Sequence, residues 1–335
     1  MNKNKANGAM KIFTFVICVM LVTSMMVFAM LGCKPKADYT VGIIQLLPHG
    51  ALDKANQGFQ EELTRLMTET GKTVAFDNNN AQGEASNNTT IADKLVTKRV
   101  DLIYAIATPS AQAVANATQT IPVIANAVTD LVSAGLVDSN EKPGRNVSGC
   151  SDINPIAKQF ELMMELVPNA KTFGVMYTAA ESNSAYQAKV LKEECDKHNI
   201  NLIVKTINDI NEIDAALGTL SKAGVECLYI PTDNILAESS STVHSCNIAS
   251  NYNLPIVFGE AGPNKNCGVA TYGVDYTQLG KIAAKMAFDI LVNGKDISTM
   301  PVQTQTDNFE YNVNENIAKD IGFTIPQSVL DRLNK

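Results

Sequence analysis

VMYTAAESNSAYQAKV, residues 175–190, contains the pattern that decides the fold. The apolar run Thr172-Phe-Gly-Val-Met-Tyr177 reads as a strand buried on both faces, because its apolar residues are consecutive rather than alternating. Small and polar residues follow, ending in Glu181-Ser182-Asn183-Ser184, and a helical pattern then runs from Ser184 to His198. Ser and Asn at a helix start are ordinary capping residues. The same position has free backbone N–H groups at the positive end of a helix dipole, which favours a bound anion.

Outward from this stretch the unit repeats. Strands are expected at 201–204, 227–230 and 255–258, with helices at 155–166, 211–223 and 236–252. Upstream, strands are expected at 41–46, 73–76, 102–106 and 122–125, with helices at 53–70, 86–98 and 110–118. Two successive β-α-β arrays imply an α/β protein with two doubly wound parallel-sheet lobes. They join near Asn146–Asp152. A helix from Gln278 to Val292 and a strand at Val302–Gln305 read as returns of the chain, first to the first lobe and then to the second. The expected division is 39–150 with 262–300 for lobe 1, and 151–261 with 301–335 for lobe 2.

Ligands of open α/β sheets sit beyond the carboxyl ends of the strands. The loops there are Gln45 to Asp53, Ala107-Thr108-Pro109-Ser110, Thr178 to Ser184 and Pro231-Thr232-Asp233-Asn234. Thr108-Pro-Ser110 and Ser182-Asn183-Ser184 occupy equivalent places in the two lobes. Each is a helix cap, an anion site, or both. Asp233 can accept hydrogen bonds from a ligand ammonium or cap the helix behind it. Asp152, Glu260 and His49 are weaker candidates for the same cleft.

The first 32 residues hold Lys3, Lys5 and Lys11, no acid, and the apolar stretch 12–31, the order of an export signal. Gly32-Cys33 resembles a bacterial lipobox, so Cys33 is the expected lipidation site, with 1–32 a signal peptide and 33–38 a tether. The alternative is an uncleaved anchor, since 20 apolar residues can span a bilayer. Either way the body is expected outside the cytoplasm. Net charge is −7 over 335 residues, which disfavours nucleic acid as a partner. Cys150, Cys195, Cys227, Cys246 and Cys267 form no C-x-x-C pair, and their pairing stays open. No metal-ligand spacing, no phosphate-binding glycine motif and no nucleophile with a base partner is found. The expectation is therefore no catalytic activity, no cofactor and no metal.

The stretches VGIIQLLPHGALDKANQGFQEEL, NNNAQGEASN, DLIYAIATPSAQA, PGRNVSGCSD, GVMYTAAESNSAYQ, LYIPTDN and TYGVDYTQLGKIAA run in order from about residue 40 to 290. In that order they resemble the solute-binding proteins of ABC importers, within them the family of tryptophan- and tyrosine-binding lipoproteins. The resemblance implies a type I periplasmic-binding-protein fold, a three-strand hinge, capture by lobe closure, and a permease and ATPase as partners of a lipid-anchored monomer. It implies an amino acid ligand, aromatic in the best-known members. Thr108, Ser110, Ser182, Asn183 and Ser184 would then donate to its carboxylate and Asp233 would receive its ammonium. Gln45, Tyr272 and Asp275 are secondary candidates. A tethered sensor domain of the same fold, or a binder of a nucleoside or sugar, are the alternatives.

Overall fold

The structure, a computed structural model, describes residues 37–334. The signal segment and Cys33 lie outside the described residues. The chain forms two six-stranded sheets. The first contains β1 (Tyr39–Gln45), β2 (Val74–Asn80), β3 (Leu102–Ile106), β4 (Val123–Val128), β5 (Val147–Ser151) and β11 (Gln303–Thr304), in the order β11-β5-β4-β3-β1-β2. The second contains β6 (Thr172–Thr178), β7 (Asn201–Ile207), β8 (Cys227–Ile230), β9 (Ile256–Phe258), β10 (Ala270–Gly273) and β12 (Glu310–Val313), in the order β12-β10-β9-β8-β6-β7. All pairings are parallel except β10 with β12.

Alternation along the strands feeds two cores per sheet, which is why the apolar runs are continuous. In the first sheet Val41, Ile43 and Tyr104 face helices α1 (Gly50–Glu69) and α10 (Tyr276–Leu291). Ile44, Ile103 and Ala105 enter the opposite core, with α2 (Ala85–Lys98) and α3 (Thr108–Ala117). In the second sheet Phe173, Val175 and Tyr229 pack with α4 (Ile156–Leu166) and α5 (Ser182–Lys197). Met176, Leu228 and Ile230 pack on the other face, where α6 (Ile213–Lys222) and α8 (Ser240–Ala249) lie. A short helix, α7 (Asn234–Glu238), precedes α8, so the single helix expected at 236–252 is two, and another short helix, α9 (Ala261–Asn264), follows β9.

The chain crosses between lobes three times, at 152–155, 274–275 and 305–309. Buried side chains tie the crossings together. Asn154 Oδ1 accepts from Val274 N–H at 3.0 Å, and Gln305 Oε1 accepts from Asp275 N–H at 2.9 Å. The sheet pairings move the expected boundaries. Gln303–Thr304 pairs with Cys150–Ser151 of the first sheet, not with the second, and Ala270–Gly273 belongs to the second sheet, not the first. Both strands are short and partly polar, and partner strands distant in sequence define them.

After the second crossing the chain docks on lobe 1 by laying α10 against α1. The helices approach backbone to backbone at glycine: a Cβ on Gly280 would lie 2.2 Å from Ala55 O, and one on Gly58 2.5 Å from Thr277 O. Beneath them Phe59 stacks on Tyr104 with ring centroids 3.8 Å apart. Overpacking such a contact costs about 1–3 kcal/mol or more. Gly280→Val is therefore expected to lower stability by at least that amount in urea unfolding; a change within about 0.5 kcal/mol, the range of a neutral surface substitution, would contradict the close approach.

Candidate functional site

The carboxyl ends of the strands of both sheets face each other across one gap. From lobe 1, His49 and Leu52 at the start of α1 and Ala127 and Thr129 at the end of β4 line it. From lobe 2 come Asn183, Thr232, Asn234 and Glu260, from the first crossing Asp152, and from the start of α10 Tyr276. The enclosed cavity measures only about 10 Å³, about enough for one water. The lobes are closed on one another.

Backbone strain marks the lobe 1 wall. Ala107, after β3, has φ +81°, and Ala127, in β4, has φ +54°. Non-glycine residues held there cost of order 1–3 kcal/mol each, and such residues cluster at ligand clamps. The two are adjacent, since Ala107 N–H donates to Asn126 O at 2.9 Å. No side chain caps α3, and the Thr108 Oγ1 at its start is buried without a hydrogen-bond partner.

The lobe 2 wall is a network of side chains. Asp233 Oδ2 accepts from Thr178 N–H at 2.7 Å and Ser184 Oγ at 2.9 Å. Its Oδ1 accepts from Thr178 Oγ1 at 2.8 Å and Leu236 N–H at 2.9 Å. Four donors fill both oxygens. Asp233 is thus the cap of α7 and the strut that joins the loops after β6 and β8. Glu181 Oε2 accepts from Asn183 Nδ2 at 3.0 Å, Asn234 N–H at 2.9 Å and Asn234 Nδ2 at 3.0 Å. Asn183 Nδ2 also donates to Thr232 O at 2.9 Å, while its Oδ1 is buried and unpartnered.

The site is acidic without compensation. Asp152, Glu181, Asp233 and Glu260 are all buried, and His49 is the only basic side chain among the cavity-lining residues. Burial, reinforced by the charge of Asp233, pushes Glu181 up to about 8. Burial and the charges of Asp152, Glu181 and Asp233 push Glu260 up to about 8. Burial raises Asp152 as well, opposed by hydrogen bonds from Tyr276 Oη (2.7 Å) and Thr129 Oγ1 (3.1 Å). It also raises Asp233, but with four donors aimed at Asp233, Glu181 is the member of that pair that takes the proton. Burial lowers His49, which keeps the imidazole neutral.

Of the residues expected at the site, Asn183 lines the cavity, while Ser184 and Asp233 stand directly behind it. Thr108 lies at the strained end of β3. The others are engaged or face elsewhere. Gln45 bonds Leu47 O and Asp53 and receives Asn56. Ser110 donates to Asn88 Oδ1 at 2.8 Å, within lobe 1. Ser182 is exposed. Tyr272 packs on Phe309 and Tyr311, and Asp275 caps α10. Sequence reasoning places the Thr232-Asp233-Asn234 loop at the cleft but passes over Glu181, Thr129 and Tyr276. Glu181 stands inside the quoted stretch, and an acid directly before a helix start, after a buried strand, is the available signal.

Residues 40–335 match the family described as ABC transporter substrate binding protein. The chain is 40% identical over 284 residues to the tyrosine-binding protein of Clostridioides difficile strain R20291, covering 85% of this chain and 81% of that one. It is similar to a Streptococcus pneumonia ABC domain solved in complex with L-Trp, at 34% identity and TM-score 0.79, covering 87% of this chain and 98% of that one. A ligand-free, open substrate-binding protein with adhesive properties from Clostridium difficile matches at 40% identity and TM-score 0.67, covering 86% of this chain and 96% of that one. The more similar sequence gives the lower structural score, as expected when closed lobes are compared with open ones.

Two predictions follow from the network and its charge. Asp233→Ala removes a cap and orphans buried donors, and is expected to lower stability by about 2–4 kcal/mol in urea unfolding; unchanged stability would contradict the strut. Glu181 and Glu260 hold protons more tightly folded than unfolded, rising from 4.5 to about 8. Their contribution to stability is complete below 4.5 and lost as pH rises through about 8. Above about pH 7 His49 is neutral both folded and unfolded, so the ligand-free Tm is expected to fall from about pH 7 to about pH 8.5. A rising Tm over that interval, measured by calorimetry, would contradict the acidic gap.

Proposed function

The chain belongs to the ABC transporter substrate-binding protein family, and from that premise we propose that its cleft captures an aromatic amino acid, tyrosine or tryptophan. The observation that carries the reading is the set of buried carboxyls with no lysine or arginine among the lining residues. A ligand ammonium supplies the missing charge, and a charge-assisted hydrogen bond is about twice as strong as a neutral one. Glu260 and Asp152, with Glu181 behind them, are the acceptors. Asp233, saturated by four donors, is not. A neutral sugar or nucleoside would leave the carboxyls as they are. The names of the relatives, one tyrosine-binding and one solved with L-Trp, support the aromatic class.

The ligand carboxylate meets the uncapped start of α3, where Thr108 Oγ1 is free to donate and the helix dipole favours an anion. A small-molecule site occupies a few hundred Å³, far above the cavity of about 10 Å³. The ligand therefore enters the open form, and the lobes close on it to a wider gap than the one seen here. Contacts made only when closed shift the open–closed population. The loaded protein then serves the membrane components of an ABC importer. No helix of the described residues is long and apolar enough to cross a membrane. Attachment falls to the N-terminus, with Cys33 as the lipidated residue and the folded part a monomer outside the cytoplasm.

A thermal-shift screen of the twenty amino acids, sugars and nucleosides tests the reading, because a ligand at a hundred times its Kd stabilises by about 2.7 kcal/mol. Tyrosine or tryptophan is expected to give the largest rise in Tm. Stabilisation by sugars or nucleosides alone would overturn it.

A further inference from the structure

Closure brings together two sets of side-chain hydrogen bonds that run from lobe to lobe. In one, His49 Nε2 lies 3.4 Å from Asn234 Oδ1. In the other, Gln187 Nε2 donates to Thr129 Oγ1 at 3.2 Å. All four side chains are buried.

The two sets differ in where they sit. Thr129 Oγ1 also donates to Asp152 in the first crossing, so the Gln187 contact lies at the hinge, where the lobes move least. His49 lies between the inner cavity and an outer cavity of about 260 Å³, lined by Gly50 and Lys54 of lobe 1 and Ala237, Pro263 and Lys265 of lobe 2. That is the mouth of the cleft. A contact far from the hinge breaks at a small opening angle.

Local bonding presents both partners of the mouth contact. Asn234 gives its backbone N–H and Nδ2 to Glu181 Oε2, at 2.9 and 3.0 Å, which turns Oδ1 toward lobe 1. His49 is the N-cap residue of α1 but makes no side-chain cap bond, so its ring is available to the gap. An acceptor at Asn234 Oδ1 requires the tautomer that carries the proton on Nε2.

We infer that His49 and Asn234 form the latch that holds the mouth of the cleft closed, with Glu181 as the positioning residue that presents Asn234. The latch rests on capture by closure and is independent of which solute is held. It acts on release rather than on encounter, because it forms after the ligand is inside.

His49→Phe keeps a ring of similar size and removes the donor; His49→Gln restores a donor. Small-angle X-ray scattering of the ligand-free chain reads the open fraction, and stopped-flow release of L-tyrosine reads the off-rate. Loss of one net hydrogen bond corresponds to about five-fold in either quantity. His49→Phe and, on the opposite lobe, Asn234→Ala are each expected to raise the open fraction and the release rate by about that factor. The association rate should hold within two-fold, and His49→Gln should lie near the parent. The double variant is expected to match the singles. Unchanged scattering in both single variants, or additive effects in the double variant, would overturn the latch. If L-tyrosine does not bind, the amino acid reading fails in its tyrosine form, and scattering alone still decides the latch.

Discussion

Four carboxyls, Asp152, Glu181, Asp233 and Glu260, are buried where two lobes meet, with no lysine or arginine among the residues that line the cavity between them. Uncompensated buried charge is expensive, and carboxyls so placed hold protons rather than ionise. Here Glu181 and Glu260 are both raised to about 8. Asp152 and Glu260 line the gap, so opening the lobes would bring these two to water, while Asp233 keeps its four donors within lobe 2. Closed on a cation, Asp152 and Glu260 gain the partner they lack. Ligand capture and the energetics of closure are thus one electrostatic problem.

The architecture puts the acids there by a simple rule. Both sheets are parallel apart from one edge pairing, so their carboxyl ends carry the strand-to-helix loops. The loops after β6, β8 and β9 deliver Glu181, Asp233 and Glu260. Asp152 arrives separately, in the first crossing, and is held by Thr129 of lobe 1 and by Tyr276 from the start of α10. The hinge therefore supplies part of the site, and a change in hinge angle moves Asp152 relative to both walls. Asp233 serves the scaffold, because its four donors all come from lobe 2.

Much of this is legible in the amino-acid sequence. Continuous apolar runs such as Phe173–Tyr177 fit a sheet covered on both faces, and their alternation with amphipathic helices gives two lobes. The carboxyl-end rule then picks loops that reach the gap, those holding His49, Asn183 and Thr232, but not the loop after β4 that holds Thr129. It does not pick the right atoms. Asp233 and Ser184 look like ligand groups in sequence, yet they bond each other at 2.9 Å, because a polar residue in a loop is as able to brace the loop as to face a ligand. Gln45 and Ser110 are taken up the same way, by partners within lobe 1. One short strand is hidden too. Ala270–Gly273 is a strand that the apolar pattern does not mark, held between Ile256–Phe258 and Glu310–Val313, whereas the strand expected at Val302–Gln305 is present as Gln303–Thr304 but joins the first sheet.

The central claim is that an ammonium completes the acid-lined gap. Calorimetry near pH 7.5 with L-tyrosine and with its desamino analogue, 3-(4-hydroxyphenyl)propanoate, tests it directly. The two share the ring and the carboxylate and differ in the ammonium alone. The account predicts that L-tyrosine binds and that the analogue is weaker by about a hundred-fold or more, the equivalent of losing a buried charged partner. Equal affinities would contradict it.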